Sequence, residues 1–251
     1  MPDSPMRLLI LGGTTEATAL VQLLADDPAF APTLSLAGRT RVPMASPVPV
    51  RVGGFGGAGG LADFLAQARI CALIDATHPF AARISANAVV AARQAAVPLL
   101  AIRRPAWVAG EGDRWTEVAD MAAAVEALGR APRRVFLTIG RQEVSAFAVA
   151  PQHSYVVRTI EPVGDALPVP HLTTISARGP FDAQAEEALM RDAGIEVVVS
   201  KNAGGTATEA KLLAARRLGL PVVIVRRPDK PAVPSAPDAA GALARLKGLR
   251  G

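Results

Sequence analysis

Two glycines and two threonines follow an apolar run near the start of the 251-residue chain, in the order Gly12-Gly13-Thr14-Thr15. Glycine lets the backbone turn tightly and lets a phosphate approach without a Cβ in its way. An amphipathic pattern begins directly afterwards, so the N–H groups of a helix N-terminus would point at the same place. The loop is typical of a pyrophosphate site, although Ala17 stands where the usual fingerprint has a third glycine. A plain strand-to-helix turn is the alternative.

The next apolar run, residues 34–37, leads into Gly38-Arg39-Thr40-Arg41. In a dinucleotide site an acidic residue here holds the ribose 2′-hydroxyl of NAD, whereas arginine binds the 2′-phosphate of NADP. Arg39 has the planar fork that fits a phosphate, and Thr40 adds a hydroxyl. The two loops together favour NADP over NAD. The alternative is that both arginines are solvated loop charges.

Thr77, His78 and Pro79 follow the apolar run at residues 72–75. Proline is favoured at the first position of a helix, so we expect a helix to begin at Pro79 with Thr77 or His78 as its cap. In a dinucleotide-binding lobe the loop after this strand lies near the nicotinamide, where His78 could contact cofactor or substrate. A capping histidine with a structural role is the alternative.

A fourth polar loop extends from Ser200 to Lys211 and is rich in glycine. Lys201 comes directly after an apolar run, and Thr206 with Glu209 has the spacing of a capping box. Lys211 would lie near the positive end of that helix, where a cation is disfavoured unless an anion is close. The loop suits recognition of a carboxylate or a phosphate. A capped helix start with two surface lysines is the alternative.

Arginine supplies most of the positive charge. The net charge is +5, and residues 131–251 hold all of the excess, with 16 basic and 11 acidic side chains against 11 of each in residues 1–130. Only 4 of the 27 basic residues are lysine, and no dense basic run with interleaved aromatics occurs, so we expect no nucleic-acid partner. A small polyanion held by individual arginines fits better. An arginine-rich surface without such a ligand is the other interpretation.

The cysteine and histidine content argues against disulfides and metals. A single cysteine, Cys71, excludes an internal disulfide framework and a cysteine-cluster metal site. His78, His153 and His171 have no metal-ligand spacing, so no metal is expected. No apolar run reaches ~18 residues, and no charged segment leads into one. We therefore expect a cytoplasmic protein without a membrane partner.

Short apolar runs alternate with amphipathic stretches along nearly the whole chain. This order is typical of a mainly parallel sheet covered by helices on both faces, where ligands bind at the carboxyl ends of the strands. The proline-rich stretch 229–237 is expected to be a surface excursion before a last helix at 239–249. The candidate strands are residues 7–11, 33–37, 72–75, 99–102, 134–138, 155–158, 172–176, 196–200 and 222–225.

A short internal sequence similarity suggests two similar lobes. Residues 9–16 and 137–143 both contain an apolar run, a glycine, a short polar turn and a glutamate. We therefore predict an α/β fold of two Rossmann-like lobes with mainly parallel sheets and a cleft between them. The boundary is expected near residue 130, with an NADP-binding lobe at 1–130 and a second, substrate-side lobe at 131–251.

Three blocks of the sequence together resemble the precorrin-6A reductases of cobalamin biosynthesis, over about residues 7–227. The resemblance implies a two-lobed Rossmann-like fold and NADPH-dependent reduction of one double bond in the precorrin-6A macrocycle, giving precorrin-6B. An anaerobic branch of the family acts on cobalt-precorrin-6A; no single residue separates the branches, and the overall pattern favours the aerobic one. The blocks are Leu9-Ile10-Leu11-Gly12-Gly13-Thr14-Thr15-Glu16, Asp75-Ala76-Thr77-His78-Pro79-Phe80-Ala81, and Ser200-Lys201-Asn202 with Gly205-Thr206 and Glu209-Ala210-Lys211.

The resemblance also implies roles for individual residues. A precorrin carries many acetate and propionate groups, so an electropositive second lobe would suit this polycarboxylate tetrapyrrole. Lys201 and His78 are candidate catalytic residues for the proton, beside the substrate's own ring nitrogen or solvent. Contact with neighbouring pathway enzymes is a further expectation. The cofactor side would comprise Gly12, Gly13, Thr14, Thr15, Gly38, Arg39, Thr40, Thr77 and Pro79. The substrate side would comprise Arg178, Ser200, Asn202, Thr206 and Lys211.

Two other functions fit the residues less well. A short-chain reductase or epimerase acting on a small alcohol or sugar needs a Tyr-x-x-x-Lys pair, but the only tyrosine, Tyr155, has Thr159 four residues later. A non-catalytic NADP-binding module would explain the first lobe but not the lysine-bearing loop of the second.

Overall fold

The computed structural model describes residues 4–38 and 45–250. By its internal contacts the chain divides into two compact units. Unit 1 comprises Met1–Pro105 together with Pro228–Gly251, and unit 2 comprises Ala106–Arg227. The boundary expected near residue 130 thus lies inside unit 2.

Unit 1 is an α/β sandwich around a six-stranded sheet. Its elements are β1 (Met6–Leu11), α1 (Thr15–Ala25), β2 (Phe30–Leu36), β3 (Val50–Val52), α2 (Ala58–Gln67), β4 (Ala72–Asp75), α3 (Ala82–Gln94), β5 (Leu99–Ile102), β12 (Ser235–Ala236) and α7 (Ala239–Gly248). The strands are all parallel, in the order β12-β5-β4-β1-β2-β3. Successive side chains of a strand point to opposite faces. Leu8 and Ile10 therefore pack with α1 and α7, and Leu9 and Leu11 with α2 and α3.

Unit 2 repeats this architecture. Its elements are β6 (Arg114–Val118), α4 (Met121–Leu128), β7 (Arg134–Thr138), a 3-10 helix (Val144–Val149), β8 (Ser154–Thr159), a second 3-10 helix (Gly164–Ala166), β9 (Leu172–Ser176), α5 (Ala183–Asp192), β10 (Val197–Lys201), α6 (Ala210–Arg217) and β11 (Pro221–Val225). The six strands are parallel, in the order β6-β11-β10-β7-β8-β9. Phe136, Val198 and Ile224 form the centre of one core layer.

The two units exchange their sixth strands. β6 follows β5 along the chain but pairs with β11, so that Arg114 lies beside Pro221. β12 follows β11 but pairs with β5, so that Ser235 lies beside Ala101. The other five strands of each sheet are consecutive in sequence and have the same spatial order. This exchange explains the boundary, because β6 and α4 precede residue 130 but belong to the sheet of unit 2.

The α/β fold with parallel sheets was predicted correctly, and all nine predicted strands are present. Three strands were not predicted: β3 is three residues long, β12 is two, and β6 contains Arg114 and Glu117 among its five residues. The predicted last helix corresponds to α7. The expectation that the proline-rich stretch before it is a surface excursion was wrong at β12, because Ala236 is only 2% exposed.

The part of the chain that the structure describes lacks two features. None of its helices has both the length and the hydrophobicity needed to cross a bilayer. No group of three or more histidine, cysteine, aspartate and glutamate side chains within these residues is arranged to hold a metal ion.

Candidate functional site

The connection from β1 to α1 has room for an anion. Gly12 packs so closely against β2 that a Cβ would lie 2.5 Å from Leu34 Cδ1. Gly13 has a φ of +104°, which L side chains rarely adopt, and a Cβ there would meet no described atom within 4 Å. The N–H groups from Gly13 to Thr15 have no protein acceptor among the described residues. They are therefore available to an anion at the positive end of α1.

Thr14 is the N-cap of α1. Its Oγ1 accepts the Ala17 N–H at 3.2 Å and donates to the Ala76 carbonyl at 2.8 Å. The hydroxyl proton is thus already used, and the side chain ties this loop to the loop after β4. In this arrangement Thr14 offers a bound anion its backbone N–H rather than its hydroxyl. Thr15 is the first residue of the helix.

The loops after β1 and β4 meet at the topological switch point of the first sheet. β1 pairs with β2 on one side and with β4 on the other, and Leu11 at its end lies beside Asp75. The chain runs from β1 through β2 and β3 in one direction, and then through β4 and β5 in the other. Ligands of open α/β sheets bind where these directions diverge, at the carboxyl ends of the strands. The structure therefore brings the glycine loop and the Thr77–His78 segment to the same edge.

Asp75 organises the end of β4. It is 1% exposed, and its Oδ2 accepts a hydrogen bond from Arg103 Nη2 at 2.6 Å. Its Oδ1 accepts the N–H of Thr77 at 3.1 Å and the hydroxyl of Thr77 at 2.6 Å. Burial raises the pKa of Asp75, but the hydrogen bond and charge of Arg103, with hydrogen bonds from Ser85 and Thr77, outweigh it and lower the pKa below its usual value. The ionised carboxylate therefore fixes the loop that follows.

His78 begins a tight turn. The N–H of Ala81 donates to the His78 carbonyl at 2.8 Å, and the N–H of Phe80 donates to His78 Nδ1 at 3.2 Å. Since Nδ1 accepts, the proton of a neutral imidazole lies on Nε2. The prediction that Pro79 opens the next helix, with Thr77 or His78 as cap, was wrong. Pro79 occupies the second position of the turn, which its fixed φ suits, and α3 begins after Ala81 without a side-chain cap.

Two arginines at this edge were not predicted. Arg103 holds Asp75, and Arg104 Nη1 donates to Glu16 Oε2 at 2.5 Å in the first turn of α1. Both side chains lie directly after β5. The rule that ligands bind beyond the carboxyl ends of parallel strands could have identified them from the predicted strand at residues 99–102.

Lys230 also reaches the loop after β4. Its Nζ donates to the His78 carbonyl at 2.9 Å and to Thr77 Oγ1 at 3.2 Å. Lys230 belongs to the segment between β11 and β12, which the sequence presented only as a proline-rich stretch. No local pattern could have indicated this contact, because it depends on the strand exchange.

Gly38 follows β2 and has a φ of +72°, with its Cβ position 3.1 Å from Val52 Cγ1. A larger residue would therefore be both strained and crowded here. Arg39 and Thr40 lie outside the described residues. Their role at a 2′-phosphate stays a prediction.

The glycine-rich stretch at residues 53–60 connects β3 to α2. Arg51 donates to the carbonyl of Gly53 at 2.6 Å and to that of Gly54 at 2.8 Å, and its guanidinium lies 3.8 Å from the centre of the Phe55 ring. A Cβ on Gly60 would lie 1.8 Å from the Phe55 carbonyl oxygen. Glycine is required there by close packing.

The corresponding switch point of unit 2 lies between β7 and β10 and is filled by an ion pair. Lys201, at the end of β10, donates from Nζ to Glu143 Oε1 at 2.7 Å and is 13% exposed. A Cβ on Gly140, after β7, would lie 2.8 Å from Glu143 Oε2. The chain then enters a 3-10 helix instead of an α-helix. Ser200 is buried and donates to the Lys201 carbonyl at 3.2 Å.

Asn202 holds the loop after β10 in place. Its Oδ1 accepts the N–H of Trp107 at 2.8 Å, and its Nδ2 donates to the Trp107 carbonyl at 2.9 Å. Trp107 Nε1 in turn donates to the Gly205 carbonyl at 3.0 Å, and Arg227 Nε donates to the Asn202 carbonyl at 2.9 Å. The Asn202 side chain therefore shapes the loop from within.

Thr206 does not form the predicted capping box. The residue before α6 is Glu209, which has helical backbone angles and makes no side-chain cap hydrogen bond. Its N–H donates to the Thr206 carbonyl at 3.3 Å, within a turn that precedes the helix. The prediction failed because this turn moves the helix start from Thr206 to Ala210.

Lys211 lies in the interior of unit 2. It is 3% exposed, and its Nζ donates to the Thr208 carbonyl at 2.5 Å. Burial lowers the pKa of Lys211 to about 7; the charge of Arg158 acts in the same direction, and Glu186 and Glu209 oppose it. Glu186 forms a bidentate pair with Arg158. The structure thus places this predicted substrate-side lysine in a buried charge cluster.

Arg178 is exposed in the loop after the edge strand β9, which β8 and β7 separate from β10 in the sheet. The structure therefore does not bring Arg178 to the strand end that carries Lys201. α5 begins after Asp182, whose side chain accepts the N–H groups of Gln184 and Ala185.

Comparison with known proteins gives matches over most of the chain. Residues 7–247 match the family model described as Precorrin-6x reductase CbiJ/CobK. A precorrin-6A reductase from Rhodobacter capsulatus is 53% identical over 91% of this chain and 90% of its own length. The solved structure of CobK precorrin-6A reductase covers 97% of this chain and 96% of that chain, with 51% identity and a TM-score of 0.93. A cobalt-precorrin-6A reductase from Priestia megaterium is 28% identical over 67% of this chain and 69% of its own length.

Proposed function

Because the chain belongs to the precorrin-6x reductase CbiJ/CobK family, we propose that it reduces one double bond of precorrin-6A with NADPH, giving precorrin-6B in cobalamin biosynthesis. The observation that carries this proposal is the 53% identity to a protein named precorrin-6A reductase over 91% of the chain. The identity to a cobalt-precorrin-6A reductase is only 28%, against 53% for the precorrin-6A reductase. This difference favours the metal-free macrocycle as the substrate. The enzyme is therefore an oxidoreductase of the aerobic branch.

The β1–β4 switch point of unit 1 fits the diphosphate of a dinucleotide. Gly12, Gly13, Thr14 and Thr15 form a turn in which, among the described residues, the Cβ position of Gly13 meets no atom and the N–H groups at the start of α1 meet no acceptor. These groups supply the hydrogen bonds and the partial positive charge that a pyrophosphate needs. Thr14 keeps the turn in shape through its bond to the loop after β4.

The remaining cofactor contacts are assigned by position along the same edge. Gly38, with Arg39 and Thr40, follows β2, where the ribose 2′-phosphate of NADP is bound in such sheets. Thr77 and Pro79 follow β4 and are assigned to the nicotinamide end. When bound, NADPH supplies the hydride, so the protein's part is to orient the reactants and exclude water.

A proton must accompany the hydride, and two side chains are candidates for its donor. His78 presents its proton on Nε2 when neutral, because Nδ1 accepts the Phe80 N–H. Lys201 is held by Glu143 at 2.7 Å, and moving a proton from it would leave a neutral amine beside a carboxylate. Release of the Nε2 proton from a neutral His78 would leave an imidazolate, so neither side chain is preferred, and the substrate's own ring nitrogen and solvent stay candidates beside them.

Unit 2 is assigned to the polycarboxylate substrate. Arg178 is an exposed cation there. The side chains of Ser200 and Asn202 shape the loop after β10, whereas Thr206 is exposed within it. The loop is therefore assigned to offer its backbone groups and the Thr206 hydroxyl to the substrate. Lys211 supports this loop from the interior through the Thr208 carbonyl.

The short-chain reductase chemistry is disfavoured by the position of Tyr155. This side chain is 1% exposed, and its hydroxyl donates to the Ala150 carbonyl at 2.9 Å. Burial raises the pKa of Tyr155 to about 12. Its proton is thus held within the core.

The test is to mix the purified protein with NADPH and precorrin-6A and follow the absorbance of the nucleotide. We expect oxidation that depends on the substrate, that is slower with NADH, and that is slower with cobalt-precorrin-6A. Binding of NADPH without any oxidation would identify a non-catalytic module. Equal rates with NADH, or an unchanged NADPH affinity in Arg39→Ala, would remove Arg39 from the 2′-phosphate role.

A further inference from the structure

Lys230 is a charged residue brought to the candidate site from a distant part of the chain. It lies 152 residues after His78 in sequence, yet its Nζ is 2.9 Å from the His78 carbonyl oxygen. The segment that carries it leaves β11 in the sheet of unit 2 and continues into β12 in the sheet of unit 1. The contact therefore exists only because the sixth strands are exchanged.

Thr77 Oγ1 and the His78 carbonyl, which accept hydrogen bonds from Lys230, belong to a continuous hydrogen-bond network. Thr77 Oγ1 uses its proton to donate to Asp75 Oδ1 at 2.6 Å, which leaves its lone pairs for the ammonium at 3.2 Å. Asp75 is in turn held by Arg103 at 2.6 Å. The carboxylate thus orients the Thr77 hydroxyl so that only its acceptor side can meet Lys230.

Lys230 also acts on the turn that begins at His78. The carbonyl of His78 accepts both the ammonium and the N–H of Ala81 at 2.8 Å, the bond that closes this turn. The same turn places the Phe80 N–H on the imidazole Nδ1. A group that fixes the His78 carbonyl therefore also fixes the direction of the ring and of Nε2.

We propose that Lys230 is a positioning residue that holds the His78 turn in its closed form, and thereby sets the direction of the His78 imidazole. Its connection to the reaction rests on the proposed function. Its effect on the turn does not, because that effect involves only groups of the protein.

The first test measures the turn itself, without cofactor or substrate. Hydrogen–deuterium exchange of the Phe80 and Ala81 N–H groups is compared in the wild type, Lys230→Met and Lys247→Met. Lys247 is a matched control, since it is an exposed lysine of the same unit that lies near Asp27. Loss of a charge-assisted hydrogen bond is expected to speed this exchange by about 10-fold or more in Lys230→Met. Unchanged exchange in Lys230→Met, or an equal increase in Lys247→Met, would overturn the proposal.

The second test measures turnover of precorrin-6A. In Lys230→Met we expect kcat to fall by about 10-fold, while the dissociation constant for NADPH changes by less than about 3-fold because the glycine loop is intact. Lys230→Arg should keep kcat within about 3-fold of the wild type, since a guanidinium can donate to both acceptors. A wild-type kcat in Lys230→Met, or a loss of NADPH affinity as large as the loss of kcat, would refute the positioning role. Absence of turnover in the wild type would refute the proposed function instead, and leaves the exchange test standing.

Discussion

The switch points of the two sheets have the same strand topology, but one is open and the other is occupied by side chains. In unit 1, Asp75 at the end of β4 is drawn towards Arg103 beyond β5, and the glycine loop after β1 stays open. In unit 2, Lys201 at the end of β10 reaches towards β7, and Glu143 covers Gly140. One sheet thus keeps the crevice that parallel strands create, while the other closes it with an ion pair.

The difference shows that the order of strands does not by itself produce an anion site. Both loops begin with a strand and a glycine, but the loop after β1 leads into an α-helix, whereas the loop after β7 leads into a 3-10 helix. In the loop after β7 a carboxylate already lies over the glycine. A second phosphate would meet that charge, so we assign the nucleotide to unit 1 alone.

The units also differ in how they bury charge. Asp75 is paired with an arginine, whereas Lys211 forms no ion pair with any carboxylate that the structure describes. Glu186, the nearby acid, is taken by Arg158. Unit 2 therefore carries a buried amino group whose contribution to the free energy of unfolding depends on pH.

The largest expected effect concerns the buried Lys211. Burial lowers the pKa of Lys211 from 10.5 to about 7, so between these values the folded state binds fewer protons than the unfolded state. The free energy of unfolding therefore rises with pH above about 7, by up to about 1.4 kcal/mol per pH unit. In Lys211→Met this contribution is absent, and the gain between about pH 7 and pH 9 should be smaller by roughly 2 kcal/mol.

Tryptophan fluorescence during urea unfolding measures the free energy of unfolding of unit 2, and repeating it at several pH values gives the pH dependence. The chain has two tryptophans, Trp107 and Trp115, and both lie in unit 2. Lys247→Met serves as the control, because this exposed lysine belongs to unit 1. Equal pH slopes in the wild type and in Lys211→Met would show that Lys211 keeps its ordinary pKa.

The second prediction compares alanine substitutions in the two glycine loops, at Gly13 in unit 1 and at Gly140 in unit 2. Gly13→Ala forces alanine into a φ of +104°, a strain of about 1–3 kcal/mol that should weaken NADPH binding by about 10-fold or more. In Gly140→Ala the new methyl group meets mainly the flexible end of Glu143, so NADPH affinity should not change. Titration of each variant with NADPH checks this. Similar losses in both would mean that the loop of unit 2 also binds the nucleotide.

The smallest expected effect concerns the charge next to the open loop. Arg104 neutralises Glu16 in the first turn of α1. Arg104→Ala leaves that carboxylate near the proposed pyrophosphate, at a cost of about 1 kcal/mol, so the NADPH dissociation constant should rise by about 5-fold. The double variant Glu16→Gln with Arg104→Ala should regain most of this affinity. If it does not, Arg104 acts on the cofactor by direct contact.

Local sequence patterns predicted most of the fold. β1, β4 and β11 are short apolar runs bounded by turn residues, and such runs become buried parallel strands wherever they pair. The glycine loop was recognisable for the same reason, since Gly12 and Gly13 lie between a strand and a helix.

What the sequence did not reveal depends on distant partners. The sequence of β6 does not indicate that it pairs with β11 rather than with β5. The pairing depends on which strand edge of each sheet is left unpaired by the other strands. Lys230 could not be connected to His78 for the same reason. The helix start expected at Pro79 was wrong because proline suits the second position of a turn as well as the first of a helix.

The exchange of sixth strands has a consequence for the order in which the chain can fold during synthesis. Domains generally fold from the N-terminus as the ribosome releases them. Here the sheet of unit 1 lacks β12 until unit 2 has been made in full, whereas every strand of unit 2 lies in one uninterrupted segment. Unit 2 can therefore reach its native state first. The edge of β5 in unit 1 stays unpaired on the nascent chain until Ser235 and Ala236 emerge.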